Sequence, residues 1–588
     1  MSGKESLYAA YMQKGRILNR QFQVFLFPML VSEISIALSE VVDGIVVAKL
    51  LGTDALAVVT LGSPIMFLAA TLQMLLGKGG SILYSKSMGE MKRNAASDYF
   101  NASMWSTLVI GLAVTIAVLV FHTSLTTLLA AGSAFYSVLK DYLFYLFISL
   151  APIMLVSVFV QFLPSFGMPH LASICIFIAN TVNLLLDVVY IRFFGMGVGG
   201  AALATLSGYA VAGILIIALA ALKKLSLSVK LWRLPHISRI CQRLPKIIGL
   251  GVSDASTQVG FALLTTYCNF IANRYGGSDA IIVLSICLQT QSITSIVLCG
   301  ISDSLVPIVA MLSGQRDYLG IRILIRRAAE FLLVSVLILT LSYIINPLWL
   351  CKVFSEEKES VQTLFVHAVR IFALYFPLRS LVILHRNVSN AMGRGNFAFI
   401  VSLLDGFVGI ITFSLILCPI FGMDGLWLTY PVNAVFVALF VWLSSIFLRA
   451  RSTPAKKGIF LLPVQNEDDL LNLEFISKDS DISKVSQAVQ EFCTHRGISD
   501  KVSQNTGLLA EEMALYARKH HLRYPYIDII VLIEDGKVIL EFRSIGHGFQ
   551  PDVFSEEDDK SNIQILNGVS CSLEYEYVVG LNTTKITL

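Results

Sequence analysis

Asn183-Leu-Leu-Leu-Asp187, followed by Phe194-Gly-Met-Gly-Val-Gly-Gly-Ala-Ala-Leu-Ala-Thr205, is the stretch on which the reading of this chain turns. A carboxylate sits in the middle of a long apolar run, where burying a charge is costly and needs a reason. Asn183 and Asp187 are four apart, so on a helix they share one face and can meet one ligand. The glycines that follow let a short turn close and let the next helix pack near its neighbour. The pattern is that of half an ion-binding site inside a bilayer.

Composition points the same way. Of 588 residues, 55% are hydrophobic and 14% charged, and the mean hydropathy is +0.72; a soluble protein carries about a quarter charged residues. Repeated apolar runs of about twenty residues, each long enough to span a bilayer, predict an all-α polytopic protein of about twelve spans between 22 and 449. The first apolar run is too long for a cleavable signal peptide. Nine cysteines are scattered without CxxC spacing, several of them inside apolar runs (Cys175, Cys268, Cys287, Cys299, Cys418), which reads as core packing rather than a metal centre or disulfide framework.

Charge divides the chain. Residues 460–588 hold 11 Lys+Arg against 21 Asp+Glu, a net of −10, while residues 1–459 carry a net of +14. The expected order is a segment 1–21, a first lobe 22–222, an inter-lobe loop 223–245, a second lobe 246–450, a linker 451–468 opened by Pro454, and an α/β domain 469–588. Basic clusters follow spans two (Lys86, Lys92, Arg93), six (Lys223, Lys224, Arg233, Arg239, Arg243) and eight (Arg316, Arg322, Arg326, Arg327). The loop after span nine carries Glu356, Glu357 and Glu359. Basic loops stay on the cytoplasmic side, which puts both termini in the cytoplasm of a multi-pass cell-membrane protein.

An internal repeat organises the membrane part. Leu51-Gly-Thr-Asp-Ala55 is echoed by Gly276-Gly-Ser-Asp-Ala280, and Ser87-Met-Gly-Glu90 by Leu312-Ser-Gly-Gln315. Phe194-Gly-Met196 returns as Phe421-Gly-Met423, and Val31-Ser-Glu33 as Val252-Ser-Asp254. Two six-helix halves in the same order imply parallel repeats about an axis along the membrane normal, with a cavity between them. The acidic residues are not duplicated: Asp43 maps to Cys268, Asp187 to about Ser414 and Asn183 to about Ile410. A polar network kept for packing would appear in both halves, so the asymmetry marks Asp43 and Asp187 as functional.

Pro28, Val42-Asp43-Gly44, Leu51-Gly-Thr-Asp-Ala-Leu-Ala57, Asn183-xxx-Asp187 and Gly195-x-Gly197-x-x-Gly200-Ala-Ala-x-Ala-Thr205 together resemble the multidrug and toxic compound extrusion (MATE) family, over roughly residues 15–450. The resemblance implies two six-helix lobes forming a V and antiport of a small organic substrate against protons or sodium, with no other cofactor. It gives cation coupling to Asp43, Asn183, Asp187 and Thr205. Two carboxylates close together in low dielectric repel, so one takes up a proton readily; alternatively carboxylate, amide and hydroxyl oxygens cage a small cation. Either event lets span one bend, with Pro28 as hinge.

Other intramembrane charges are open. Glu33 and Glu40 either join the polar face of span one or line a vestibule. Asp254 is a candidate substrate contact, while Asp303 is placed at a helix end. Arg370 and Arg379 on span ten are candidates for an anionic substrate, with a structural Arg379–Asp405 pair as the competing expectation. Aromatic residues mostly face lipid or core.

In the tail, 470–477 alternates as a strand, Asp481 and Asp500 open helices, and 527–533 and 537–542 flank Glu534-Asp-Gly536, a hairpin signal. Strands at 572–578 and 583–588 finish it. The order resembles the histidine-kinase-like ATPase fold in its anti-sigma-factor serine kinase form, through Leu508-Leu-Ala-Glu-Glu512, Gly546-x-Gly548-Phe-x-Pro551 and Tyr577-x-x-Gly580-Leu-Asn582. The nucleotide machinery is degenerate: the magnesium-binding asparagine is Tyr516, the adenine-binding aspartate is Ser544, and the phosphate lid at 560–566 has no glycine. Glu512 alone does not restore catalysis, because phosphates lack their counter-charge. The expectation is a non-enzymatic, monomeric antiporter whose acidic tail rests on basic cytoplasmic loops and meets a protein partner. The alternatives are a membrane sensor whose tail signals by binding, or a flippase for a lipid-linked precursor. Nothing supports nucleic-acid binding.

Overall fold

A computed structural model describes residues 15–130, 135–221, 237–353, 359–452, 456–464, 469–520, 522–534, 536–546, 548 and 572–588. Lys223, Lys224, Arg233, Glu356, Glu357, Pro454, Phe549, Pro551 and the lid segment 560–566 lie outside them. The first half is α1 (Arg16–Leu51), α2 (Thr53–Gln73), α3 (Gly79–Gly89), α4 (Arg93–Val120), α5 (His122–Ala130), α6 (Tyr136–Phe162), α7 (Pro169–Val188) and α8 (Gly197–Ala221). The second is α9 (Ile237–Gln315), α10 (Tyr318–Ile345), α11 (Leu348–Val353), α12 (Glu359–Phe372), α13 (Tyr375–Ala391), α14 (Gly395–Asp405), α15 (Phe407–Phe421) and α16 (Met423–Ala450). Gly277, at φ +65°, breaks α9 into two arms.

Among the described residues nine helices are long and apolar enough to cross a membrane, or ten if α12 and α13, bent by 43°, form one span. The sequence predicts twelve. Part of the difference is physical: α1 carries Glu33, Glu40 and Asp43, which lower its apolar character, and α9 holds two runs in one continuous element. The molecule is a multi-pass helical membrane protein.

The halves meet through backbone. A Cβ on Gly89 would lie 2.1 Å from the Met311 carbonyl oxygen, and one on Gly314 would lie 2.2 Å from that of Lys86. Gly79 approaches Ile247 and Gly251 approaches Leu75 in the same manner, with 2.0 and 1.9 Å to carbonyl oxygens. Any larger residue would wedge the two halves apart. These contacts pack α3 and the turn before it, from the first half, against α9 of the second.

A hairpin of β1 (Lys456–Lys457) and β2 (Leu462–Pro463) leads into the tail: β3 (Leu470–Ile476), α17 (Asp479–His495), α18 (Asp500–His520), β4 (Leu522–Glu534), β5 (Lys537–Gly546), β6 (Ser572–Val578) and β7 (Leu581–Thr587). The last five strands form one antiparallel sheet in the order β3-β4-β5-β7-β6. The hairpin strands are longer than local propensity predicts. Ser544, beyond the strand expected at 537–542, is held in β5 between Ile527 and Asn582, and Gly546 pairs with Leu522. Pairing on both sides overrides the local signal.

One sheet face carries Phe475, Ile527, Ile529, Leu540 and Phe542 into a core with the two helices. Alternation sends Glu474, Asp528, Glu541 and Arg543 to the other face, yet these are buried too. They are covered by the bundle. Arg543, fully buried, donates to Asp317 Oδ2 at 2.6 Å, and the other Asp317 oxygen caps α10 by accepting from Gly320 N at 2.8 Å. Ile17 N donates to Glu474 at 3.1 Å, and Arg16 lies 4.7 Å over the Tyr526 ring. Gln21 donates to the Val579 carbonyl, and Arg316 pairs with Glu534 at 3.1 Å. The contact mixes both polarities: the exposed Arg316–Glu534 pair sets an acidic tail residue on a basic helix end, whereas the buried pair sets a tail arginine on Asp317.

Candidate functional site

The face of α7 that turns inward carries Cys175, Ala179, Asn183 and Asp187, a stripe at four-residue spacing. Gly208 of α8 fits against it: a Cβ there would meet the Ala179 carbonyl oxygen at 2.2 Å and Asn183 Cβ at 3.3 Å. That close approach brings Thr205 to Asn183. Beyond Asp187, a π-helical turn (Val189–Phe193) and the positive-φ residues Gly195 and Gly197 reverse the chain within a few residues. π turns of this kind recur at functional sites.

Asp43 arrives from α1 and completes the cluster. An amide's oxygen and nitrogen are assigned from their partners. In the orientation that satisfies both sides, Asn183 Nδ2 donates to both Asp43 oxygens at 3.0 and 3.1 Å. Its oxygen accepts from Thr205 N and Oγ1 at 3.0 and 3.1 Å. In the reversed orientation Nδ2 donates to Thr205 Oγ1 at 3.1 Å, which itself reaches the Ala201 carbonyl at 3.1 Å. Ser39 Oγ lies 3.4 Å from Asp43 Oδ2. Asp187 is 1% exposed, its Oδ1 has no hydrogen-bond partner, and it lies within electrostatic reach of Asp43. Asn180 donates to the backbone and hydroxyl of Ser35, both at 3.0 Å, fixing α1 against α7. All four residues expected to couple the cation therefore come together, and among the described residues no cation neutralises them.

The remaining expectations divide. Glu33 lines a cavity of about 240 Å³ built mainly by the first half, with Met29, Gln73, Lys78, Gln161 and Tyr209, and reached from the second half by Asp303, Val306 and Pro307. Pro28 is buried in α1, and its carbonyl takes the Ser32 hydroxyl at 3.0 Å. Glu40 is exposed and stands outside the cluster's hydrogen bonds. Asp254 is not an open substrate contact: Arg386 lies 3.5 Å away and Asn390 donates to it at 3.3 Å. Arg379 pairs with Asp405 at 3.4 Å, which leaves the structural reading and removes it from the cleft. Arg370 is exposed and bonds the Ile344 carbonyl at 3.2 Å. Asp303 does not end a helix. It lies twelve residues inside α9, bonded by Asn387 at 2.7 Å and by Lys78 at 2.8 Å across the two halves.

Lys78, Arg386 and Asn387 were missed. The available signal was arithmetic: Lys78 and Asp303 stand 225 residues apart, the spacing of the internal repeat, so they are equivalent positions that meet near its axis. In the tail, Tyr516 and Ser544 are buried, Glu512 is half-buried, and a Cβ on Gly548 would touch Tyr577 at 3.2 Å.

Comparison with known proteins settles the family. The MatE family model matches two stretches, 28–189 and 255–415, which together exceed half of the chain and reproduce the internal repeat. The multidrug export protein MepA of Staphylococcus haemolyticus is 24% identical over 74% of this chain and 95% of its own length. A FAD transporter of Shewanella oneidensis is 22% identical over 66% of this chain and 86% of its own. Among solved structures, MATE in complex with MaD3S superposes with a TM-score of 0.67 at 20% identity, covering 74% of this chain and 97% of that one. A MOP-superfamily transporter from Pyrococcus furiosus gives 0.67 at 20%, covering 75% and 100%. The relatives are transporters, not enzymes, and the chain itself belongs to the MATE family of membrane transporters.

Proposed function

We propose that this protein is a secondary antiporter that exports a small organic substrate in exchange for a proton or a sodium ion, coupled at Asp43, Asn183, Asp187 and Thr205. One observation carries this reading: the half-buried Asp43 bonds only the neutral Asn183 and Ser39, and the buried Asp187 within its electrostatic reach leaves Oδ1 without a hydrogen-bond partner. A site that holds two carboxylates without a resident cation is built to take one up and give it back. Asn183 supplies the readout. While Asp43 is ionised the amide donates to it; once Asp43 carries a proton it donates to the amide oxygen instead, and Nδ2 turns to Thr205. Uptake thereby rewires the bond between α1 and α8, and α1 moves about Pro28. A sodium ion held by the same oxygens would do the same.

The mostly apolar walls of the first-half cavity, with Glu33 left over once Lys78 pairs with Asp303, suit a cationic amphiphile. With twelve crossings and both termini and the tail in the cytoplasm, the glycine contacts between the halves support a conformation closed on the cytoplasmic side. The tail, resembling a nucleotide-binding fold that has lost its ligands, acts as a docked regulatory body without catalysis, and a protein partner would act by displacing it. Substrate efflux from proteoliposomes under separately imposed proton and sodium gradients tests the coupling. Full transport by both Asp43→Asn and Asp187→Asn would end it.

A further inference from the structure

The repeat gives the tail-bearing face two equivalent grooves. One lies between the start of α1, the loop that joins α6 to α7, and the loop that joins α9 to α10. Its twin lies between the start of α9, the α13–α14 loop and the α3–α4 loop. The equivalence extends to single bonds. Met91 and Arg316, 225 residues apart, are both non-glycine residues at positive φ, 57° and 60°. Lys92 N bonds Ser87 O at 2.9 Å just as Asp317 N bonds Leu312 O at 3.0 Å. Gly167 and Gly393 repeat each other at φ 80° and 87°, each closing its turn on the carbonyl three residues before, at 2.9 and 2.8 Å.

The contents differ. In the first groove Asp317 receives the tail's Arg543, and Gly167 lies so near Gly580 that a Cβ would come within 2.4 Å of its nitrogen. The second groove is an open cavity of about 740 Å³. At the position of Asp317 it carries Lys92, and Lys86, Arg243, Lys246 and Arg394 also line it, against the single carboxylate of Glu90. Lys92 is held by Glu90 at 2.8 Å and Arg243 by Asp98 at 3.5 Å, while Arg394 spends its donors on the carbonyls of Phe460 and Leu461 at 2.7 and 2.5 Å. Lys86 and Lys246 have no ion-pair partner among the described residues. The groove that takes a guanidinium thus has a twin of inverted sign.

We propose that this second groove is a binding site for a phosphate-bearing anion, supplied either by a soluble molecule or by a lipid headgroup, with Lys86 and Lys246 as its principal contacts. A charge surplus of this size calls for more than one carboxylate, and lysines bind phosphate as point charges. The volume falls in the range of small-molecule sites, ~300–1,000 Å³. Because Lys86 belongs to the first half of the repeat and Lys246 and Arg394 to the second, an occupant ties the halves together on this face.

The experiment uses the full-length protein in nanodiscs, with thermal unfolding as the readout. Inorganic pyrophosphate titrated into phosphatidylcholine discs probes the soluble source, and discs with and without phosphatidylglycerol probe the headgroup. One of the two should raise the melting midpoint, and Lys86→Gln or Lys246→Gln should weaken that response about tenfold. Lys246 is exposed, so its variant tests the site without threatening the fold. Removing two exposed charges elsewhere, in Arg326→Gln/Arg327→Gln, should leave the response intact. The proposal fails if neither probe shifts the midpoint, or if the distant variant weakens the response equally. It also fails if the response appears only after Glu556, Glu557, Asp558 and Asp559 are neutralised, since the chain's own acidic segment would then be the occupant.

Discussion

The two halves of this molecule share a backbone plan but treat charge in opposite ways. In the first half Asp43 meets the Asn183 amide and the Ser39 hydroxyl, and Asp187 lies within its electrostatic reach with Oδ1 unpartnered. In the second half the equivalent positions are Cys268, 3.6 Å from the Tyr430 hydroxyl, Ser414, 2.7 Å from the Tyr267 hydroxyl, and Ile410 in the core. Among the described residues the carboxylates that this half buries are neutralised, Asp254 by Arg386, Asp405 by Arg379 and Asp317 by Arg543, as is the half-buried Asp303 by Lys78. A paired charge is fixed; an unpaired one is available. The duplication supplied the scaffold twice, and the coupling chemistry proposed for Asp43 and Asp187 stands on one copy.

The largest effect should come from the unpaired side. Asp187→Asn should reduce gradient-driven efflux in proteoliposomes to the level of empty vesicles, with the melting midpoint kept or raised, because it removes a buried carboxylate that lacks a partner. The mirror experiment on the paired side should do the reverse. Asp405→Asn leaves the Arg379 guanidinium buried without its counter-charge, which costs about 3–5 kcal/mol of stability, while transport per folded molecule persists. If Asp405→Asn uncouples transport as fully as Asp187→Asn, the division between the halves is broken.

The tail offers the same contrast on a smaller scale. Arg543→Ala strands Asp317 and should cost about 3 kcal/mol or more, read as faster protease cleavage of the tail from the bundle. Replacing both partners, Arg543→Met with Asp317→Leu, should recover only part of that loss, because Asp528, 3.6 Å from the guanidinium and as deeply buried, still loses its counter-charge and α10 loses its Asp317 cap. The exposed pair Arg518–Asp479, at 2.6 Å, is the control: Arg518→Ala should change the midpoint by less than about 1 kcal/mol.

Asn183 and Asp187 were legible in the sequence because a polar residue in an apolar run stands out and a four-residue spacing needs only a helix to interpret. Asp43 followed from the repeat. What the sequence hid were contacts set by how the copies sit against each other. Lys78 reaches Asp303 only because the pseudo-two-fold axis brings equivalent positions together, and Asp303 therefore lies inside the bundle and not at a helix end. Arg370 looked intramembrane by its neighbours, yet faces outward at the end of α12. The polar sheet face of the tail looked like ordinary solvent exposure at every second residue. Only the docking shows that Glu474, Asp528 and Glu541 are covered.

That covered face makes docking depend on pH. Burial pushes the Glu541 carboxyl up to about 7, against the lowering influence of Arg543 and Lys585 and with Asp317 adding to the rise. Glu576 is likewise pushed up to about 7, by burial first, with Arg93 opposing and Glu574 adding. An exposed glutamate loses its proton near 4.5. Between these values the docked tail holds protons that an unfolded one has released, so this contribution to stability is complete below about 4.5 and is lost as pH rises through about 7. A shift of this size is worth on the order of 3 kcal/mol for one fully buried group, and less where the neighbouring cations relax toward it. The tail should therefore resist protease better at pH 5 than at pH 8, and Glu541→Gln should flatten part of that difference by holding its site neutral throughout. A tail that tightens as pH rises would show that the cations around Glu541, and not its burial, govern the contact.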